Sequence, residues 1–440
     1  MYLSKIIKTK NQVYIYDALY NKFALIPSED VIFDEIKYKK FLIESNFRDI
    51  KEKCEFKIAY PYSEDELSKM YGCKIKSMTL ALTEQCNLRC KYCGYMPKYL
   101  DENYVLKEMK KDVAFKAIDI LMNSSHKSEV CHLGFYGGEP LLKLDLIKDC
   151  IAYIRETYPF RQPSFNITTN GVLLNENVIK FLIENQIKII ISLDGPTAKL
   201  NKYRVFPNGK SSYQTVLNNI QNLYYKSPQY FRENVTYNVV MFNGANKELF
   251  EAIDNLWKSN VNMIDLFQTE YFCKVRDKDD KVERKDNIDL KSYDFAYNNL
   301  LKGMKKYYNS FNGSYKGDSI LPGGFCIPGI RKNFVTADGR ITVCEKVDEN
   351  QKIFEIGNVY DGIDLEKVNT LLAYTMKNLE KCKRCWAAKF CKICFKDIMN
   401  NDSDFCNNVR SDIEKELGYY MDQVSGNREL VNYVANISLI

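Results

Sequence analysis

The sequence predicts an α/β protein built on a parallel sheet. Strand-like apolar runs alternate with amphipathic helical stretches from 76 to about 270, the pair recurs about six times, and polar or glycine motifs close the strand-like runs. The runs at 78–83, 131–136, 165–169, 187–193, 235–242 and 262–267 have the length and apolar character of strands. Stretches at about 111–123, 142–157, 175–185, 212–226 and 246–258 carry apolar residues at helical spacing. This rhythm fits a sheet either doubly wound or curled into a partial barrel. In both, ligands bind at the carboxyl ends of the strands.

The flanks read differently. Residues 12–26 suggest two short strands around a turn and 33–46 a helix, so residues 1–75 are expected to form a small α+β appendage. The almost wholly charged run 274–287 suggests a solvated loop, followed by a helix at about 291–308 and a turn at LPGGF, 321–325. A cysteine-dense region then runs from 326 to 406. The expected division is an appendage at 1–75, a strand–helix domain at 76–310, a cysteine-rich domain at 311–420 and a tail at 421–440.

Bulk properties exclude several classes. At 440 residues, 45% apolar and 27% charged, the chain has the composition of a globular protein with room for two or three domains. It contains no run of eighteen apolar residues and no export-signal pattern at its start, so neither a membrane partner nor export is expected, and a cytoplasmic location is. The net charge of +6 is mild and its lysines are dispersed among acids, so nucleic acid is not an expected partner. Fifteen cysteines stand against two histidines. An odd count without an export signal argues for thiolate–metal ligation over disulfides.

Cys86-Asn-Leu-Arg-Cys90-Lys-Tyr-Cys93 follows the first strand-like run of the domain. Three thiols at this uneven spacing suit a loop around one corner of an iron–sulfur cluster, with a fourth iron left open for chemistry. The second run ends in Gly137-Gly138-Glu139-Pro140, where glycines permit close backbone approach and a carboxylate can receive an ammonium group. The third ends in Thr168-Thr169-Asn170-Gly171 and the fourth in Ser192-Leu193-Asp194-Gly195-Pro196. Their short polar side chains suit ribose or amino-acid groups, and equally suit caps on the following helices. Arg204 could pair with a ligand carboxylate, although a lone arginine is more often a surface charge.

Together, CNLRCKYC, GGEP, TTNG and SLDGP resemble the radical S-adenosylmethionine (SAM) superfamily over about 76–270. The resemblance implies a partial (β/α)6 barrel. It implies that Cys86, Cys90 and Cys93 hold a 4Fe–4S cluster whose open iron chelates SAM. Tyr92 would lie against the adenine, Glu139 and the adjacent backbone would hold the methionyl ammonium, Ser192 and Asp194 would approach the ribose, and Arg204 the carboxylate. Reductive cleavage of SAM would then give a 5′-deoxyadenosyl radical, with a flavodoxin or ferredoxin as the expected reductant.

Seven further cysteines are Cys326, Cys344, Cys382, Cys385, Cys391, Cys394 and Cys406. The competing reading is a pair of zinc ribbons. The region resembles the SPASM extension of radical SAM enzymes that modify peptides, which holds two auxiliary clusters. That resemblance assigns Cys382, Cys385, Cys391 and Cys406 to a distal cluster and Cys326, Cys344 and Cys394 to a proximal one, making three 4Fe–4S clusters. The last CxxC departs from the commoner CxxxC, which leaves the partition of Cys391 and Cys394 open. Residues 310–325 hold no cysteine, so the proximal cluster is expected to keep an open iron unless the distant Cys273 supplies a ligand. Cys54, Cys73, Cys131 and Cys150 are expected to be small buried hydrophobes.

Within that group, CIPGIRKNFVTADGRITVCEKV, IGNVYDGID and KCKRCWAAKFCKIC most resemble maturases of ribosomally made, cysteine-rich peptides. These form thioether crosslinks on a precursor carrying a leader. The alternative is an anaerobic sulfatase-maturing enzyme, which has an aspartate base where this chain has Glu345, a position equally open to a structural glutamate. Carbon–carbon crosslinking or epimerisation of a peptide also fits the scaffold, whereas electron transfer alone leaves the strand-end motifs without a role. Residues 12–26 could offer a sheet edge to a leader peptide.

Overall fold

A computed structural model describes residues 3–47, 55–58, 62–241, 261–265, 303–305, 307–311, 319–322, 327–391, 393–394, 397 and 403–436. Contacts gather the chain into two compact units. One takes residues 1–67, 298–327 and 368–440, the other 68–297 and 328–367. Among the described residues no helix is long and apolar enough to cross a membrane.

The unit containing the N-terminus holds an antiparallel sheet of β1 (Ser4–Lys8), β2 (Val13–Asp17) and β3 (Lys22–Ile26), in that order. Two strands are expected from the sequence and three are present. Ser-Lys-Ile-Ile-Lys does not alternate, and its pairing to the regular Val-Tyr-Ile-Tyr run is what makes it a strand. Asp17 accepts the Leu19 and Tyr20 amides, and Asn21 takes φ 51°, which together close the β2–β3 turn. The helix Glu35–Glu44, capped by Asp34, lays Tyr38, Phe41 and Leu42 on Ile15 and Ile26. Tyr16 and Phe23 pack edge-on against Phe311, which stacks on Tyr420 from the helix Ser403–Val424. Short strands β4 (Lys57–Ile58) and β11 (Ser319–Ile320) pair in parallel.

The second unit is organised by one sheet. β5 (Ser77–Ala81), β6 (His132–Tyr136), β7 (Ser164–Thr169), β8 (Lys188–Ser192), β9 (Val235–Met241) and β10 (Val261–Asp265) run parallel, each beside its successor. The helices Lys111–Asn123, Leu144–Thr157, Glu176–Glu184 and Tyr213–Lys226 fall between strands as the sequence predicts. The helix expected over 246–258 lies outside the described residues. Leu80, Leu133, Phe135, Ile167, Ile189 and Ile191 are buried together with Ile118, Leu121, Ile147, Ile154, Val178 and Leu182 of those helices. Opposite-parity Thr79, Gly134 and Asn166 lie side by side in register. A Cβ on Gly134 would meet Thr79 Oγ1 at 2.9 Å and Asn166 Oδ1 at 3.0 Å, so this face is polar and tight.

The expected domain boundaries differ from these units. β12 (Asn333–Val335) joins β5 in parallel, and β13 (Arg340–Thr342), β14 (Glu355–Asn358) and β15 (Gly362–Ile363) follow as antiparallel neighbours. Residues 328–367 therefore extend the central sheet, and the expected domain 311–420 divides between the units. Residues 1–67 share a unit with the C-terminal helices because the aromatic contacts above come from both ends of the chain.

Candidate active site

The loop after β5 places its three thiols as mutual neighbours. Cys93 N donates to Cys90 O at 3.0 Å, a turn that brings these two residues together. Each thiol feels the charge of another of the three. Burial pushes Cys86 and Cys90 up to about 11 and raises Cys93 as well. Such thiols stay protonated at neutral pH unless a cation displaces the protons. Arg89 braces the loop by donating to the carbonyls of Cys86 (2.7 Å) and Leu88 (2.8 Å), with its guanidinium 4.2 Å from the centroid of Tyr99.

The strand-end glycines serve backbone against backbone. Gly138 N donates to Thr83 O and Glu139 N to Gln85 O, at 2.7 and 2.8 Å. A Cβ on Gly137, at φ +130°, would fall 2.3 Å from Thr83 O, and one on Gly138 2.2 Å from Gln85 O. The close approach is thus to the cysteine loop itself.

Glu139 is fully buried and caps the short helix that begins at Pro140. Its carboxylate accepts from Thr169 Oγ1 (2.8 Å), Asn170 N (2.8 Å) and Leu141 N (3.1 Å). Burial pushes its carboxyl up to about 7 against these three bonds. The side chain expected to meet an ammonium group clamps the end of β6 to the end of β7.

After β8, Asp194 Oδ2 accepts from the Tyr92 hydroxyl at 2.6 Å, and that hydroxyl accepts from Arg204 Nη1 at 2.6 Å. Arg204 Nη1 lies 3.9 Å from Asp194 Oδ1. Arg204 is 5% exposed, so it is not the surface charge that a lone arginine suggests, and its Nε has no hydrogen-bond partner among the described residues. Ser192 is half-buried at the end of β8. Asn201, not singled out by the sequence, holds this turn by accepting from Asp194 N and donating to Gly195 O. Its place three residues before Arg204 is the sole signal the sequence offers. The cysteine loop and this loop pair through Arg89 N to Val205 O (2.7 Å) and Lys91 N to Tyr203 O (3.1 Å).

A second such group lies beside the loop. Glu84, 5% exposed, accepts from Lys98 Nζ at 2.7 Å, from the Tyr104 hydroxyl at 3.1 Å and from Lys107 N at 2.8 Å. Lys98 also pairs with Glu349.

Of the later cysteines, Cys344 is half-buried beyond β13, and Glu345 pairs with Lys332 Nζ at 2.7 Å. Although burial works to raise it, Lys332 brings the Glu345 carboxyl below its usual range. In the other unit, Cys382 feels the charges of Cys385, Cys391 and Cys406, and burial pushes it up to about 12. Cys391 is pushed up to about 11 by burial and feels Cys385 and Cys406. Cys394 N donates to Asp397 Oδ2 at 3.0 Å. Cys326, Cys273 and Cys54 lie outside the described residues. Cys150 is buried, whereas Cys73 and Cys131, expected to be buried, are partly exposed. Among the described residues no three His, Cys, Asp or Glu side chains converge tightly enough to hold a single metal ion.

Comparison with known proteins accords with this arrangement. Residues 80–256 match the radical SAM superfamily. The chain is 25% identical over 380 residues to a cysteine-type anaerobic sulfatase-maturating enzyme of Clostridium novyi, covering 78% of this chain and 96% of that protein. It is 23% identical over 255 residues to the radical SAM cyclopropyl synthase TigE of Paramaledivibacter caminithermalis, covering 54% and 49%. The fold resembles native anSMEcpe with bound AdoMet at a TM-score of 0.57 and 21% identity, covering 82% of this chain and 100% of that one. With three half-buried thiols at the head of a parallel sheet and polar turns on the next three strands, the segment 80–256 is a radical SAM domain.

Proposed function

We propose that Cys86, Cys90 and Cys93 hold a 4Fe–4S cluster with one iron open to SAM, and that the enzyme is a maturase of a peptide substrate. When bound, the pair supplies reductive cleavage of the sulfonium to methionine and a 5′-deoxyadenosyl radical. The residues fit these groups. Three mutually close thiols are available, and the buried, unpartnered Nε of Arg204 suits a carboxylate. Tyr92 would border the adenine, Ser192 and Asp194 the ribose, and Thr169 and Asn170 the rim between strands. The ammonium group falls to the backbone of Gly137 to Pro140, because three donors already engage the Glu139 carboxylate.

The peptide reading is carried by one observation, the likeness over 96% of a sulfatase-maturating enzyme. Cys382, Cys385, Cys391 and Cys406 would hold a distal auxiliary cluster, and Cys326, Cys344 and Cys394 a proximal one with an open iron, in keeping with the absence of cysteine from 310–325. An iron open to a substrate thiolate favours thioether formation in a cysteine-rich precursor. Glu345 would receive the thiol proton. The edge strand β3 would offer a leader its backbone. A second reading, formylglycine formation in a sulfatase, is favoured by the same full-length likeness.

One experiment separates them. Anaerobically reconstituted enzyme with SAM and reductant is given a cysteine-rich precursor encoded nearby or a cysteine-containing sulfatase peptide. Thioether formation removes two hydrogens and retains sulfur, whereas formylglycine formation releases the sulfur, and mass spectrometry distinguishes the two. C90A is expected to abolish 5′-deoxyadenosine release, and E345Q to retain it while losing peptide product. Release by C90A would overturn the cluster assignment.

A further inference from the structure

The turn after β7 brings a side-chain donor onto one of the three loop thiols. Asn170 Nδ2 lies 3.5 Å from Cys86 Sγ and 2.7 Å from Asn87 Oδ1. The direction of this amide is settled by its other end. Val172 N donates to Asn170 Oδ1 at 3.0 Å, and an N–H can donate only to the amide oxygen, so the NH2 must face the cysteine loop. Its two hydrogens then meet two acceptors, the Asn87 oxygen and the Cys86 sulfur. The backbone beneath is held by Asn170 N donating to Glu139 Oε2 at 2.8 Å, and by Gly171, at φ +80°, which carries the turn away. The amide is therefore fixed at both ends before any ligand arrives. Leu88 N also donates to Cys86 Sγ, at 3.4 Å.

A donor aimed at a cluster thiolate stabilises the more negative, reduced state more than the oxidised one. It thus raises the reduction potential of that cluster. We propose that Asn170 is a tuning residue, which holds the SAM-binding cluster within reach of the cell's reductant by donating a hydrogen bond to Cys86. Glu139 acts through it, as the anchor of its backbone. This inference rests on the reading that Cys86, Cys90 and Cys93 carry the cluster, and it gives Asn170 a role beyond its place on the rim of the SAM site.

The test is a redox titration of the full-length, reconstituted chain, following by electron paramagnetic resonance the signal that changes when SAM is added. In N170L the donor is lost, and in N170D it is replaced by an isosteric carboxylate that cannot donate and adds negative charge. Both variants are expected to keep the iron and sulfide content of the wild type and to shift the midpoint to more negative potential, N170D further than N170L. An unchanged midpoint with weakened SAM binding would place Asn170 on SAM and overturn the proposal. Loss of the signal from both variants with the fold intact would make Asn170 a builder of the site and would overturn it too. A wild-type chain with no SAM-responsive signal would sink the cluster reading itself, a result separable from the other two.

Discussion

A buried carboxylate with three donors has about one of its four lone-pair sites left. Glu139 is in that position, so its chemistry is that of a structural anchor. In E139Q an amide must replace one oxygen, and whichever way it turns, an NH2 meets a donor. The expected loss is about 1–3 kcal/mol of stability at low pH, read by chemical denaturation. The pH dependence has a definite sign. The folded carboxyl is raised from 4.5 to about 7, so the stability it contributes is full below the lower value and falls as pH rises through the upper one. The deficit of E139Q against wild type is therefore expected to shrink between about pH 4.5 and pH 7. Denaturation curves whose difference stayed constant across that window would contradict the assignment. Residue-scale partnerships such as Tyr92 with Asp194 and Arg204 were not legible in the sequence. Their members are distant in the chain, and nothing local in a lone arginine reveals that a fold will bury it.

At the scale of elements, the sheet was legible because its strands carry their own pattern. Lys188–Ser192 and Ser164–Thr169 alternate buried and half-buried positions as period-two strands do. β12 to β15 were not, being two to four residues long and given their identity by the neighbour they join. The β6 glycines illustrate how one strand end fits another. Gly138 abuts the Gln85 carbonyl, whereas a Cβ on Gly94, one residue past Cys93, would meet nothing within 4 Å. G138A is therefore expected to cost about 1–3 kcal/mol and to lower iron retention, while G94A keeps both near wild type. Equal behaviour in melting temperature and iron content would refute the close-packing argument.

Over the whole molecule, the sequence suggests consecutive pieces, whereas the units are assembled from separated ones. The reason is physical: Lys5 pairs with Glu414 at 3.1 Å, and the Tyr14 hydroxyl donates to Asp422 Oδ1 at 3.0 Å. Such contacts leave no trace in local composition. The four thiols Cys382, Cys385, Cys391 and Cys406 belong to the unit that these contacts close, and the radical SAM sheet to the other. A C382A/C385A double variant is expected to lose about four irons of a total near twelve while the SAM-responsive signal persists, counted by iron analysis beside electron paramagnetic resonance. Zinc in place of iron in the wild-type protein would overturn that reading of the C-terminal thiols.

The two backbone bonds that join the cysteine loop to the Tyr203–Val205 segment have a thermodynamic consequence. Whatever orders residues 86–93 also orders the segment bearing Arg204, and the entropy lost in the first event is not lost again in the second. If the loop takes up the cluster and Arg204 the SAM carboxylate, as proposed, the two events are linked, and each favours the other by the same factor. On that proposal, SAM is expected to bind the cluster-loaded protein more tightly than the apoprotein, by the factor that it adds to cluster retention.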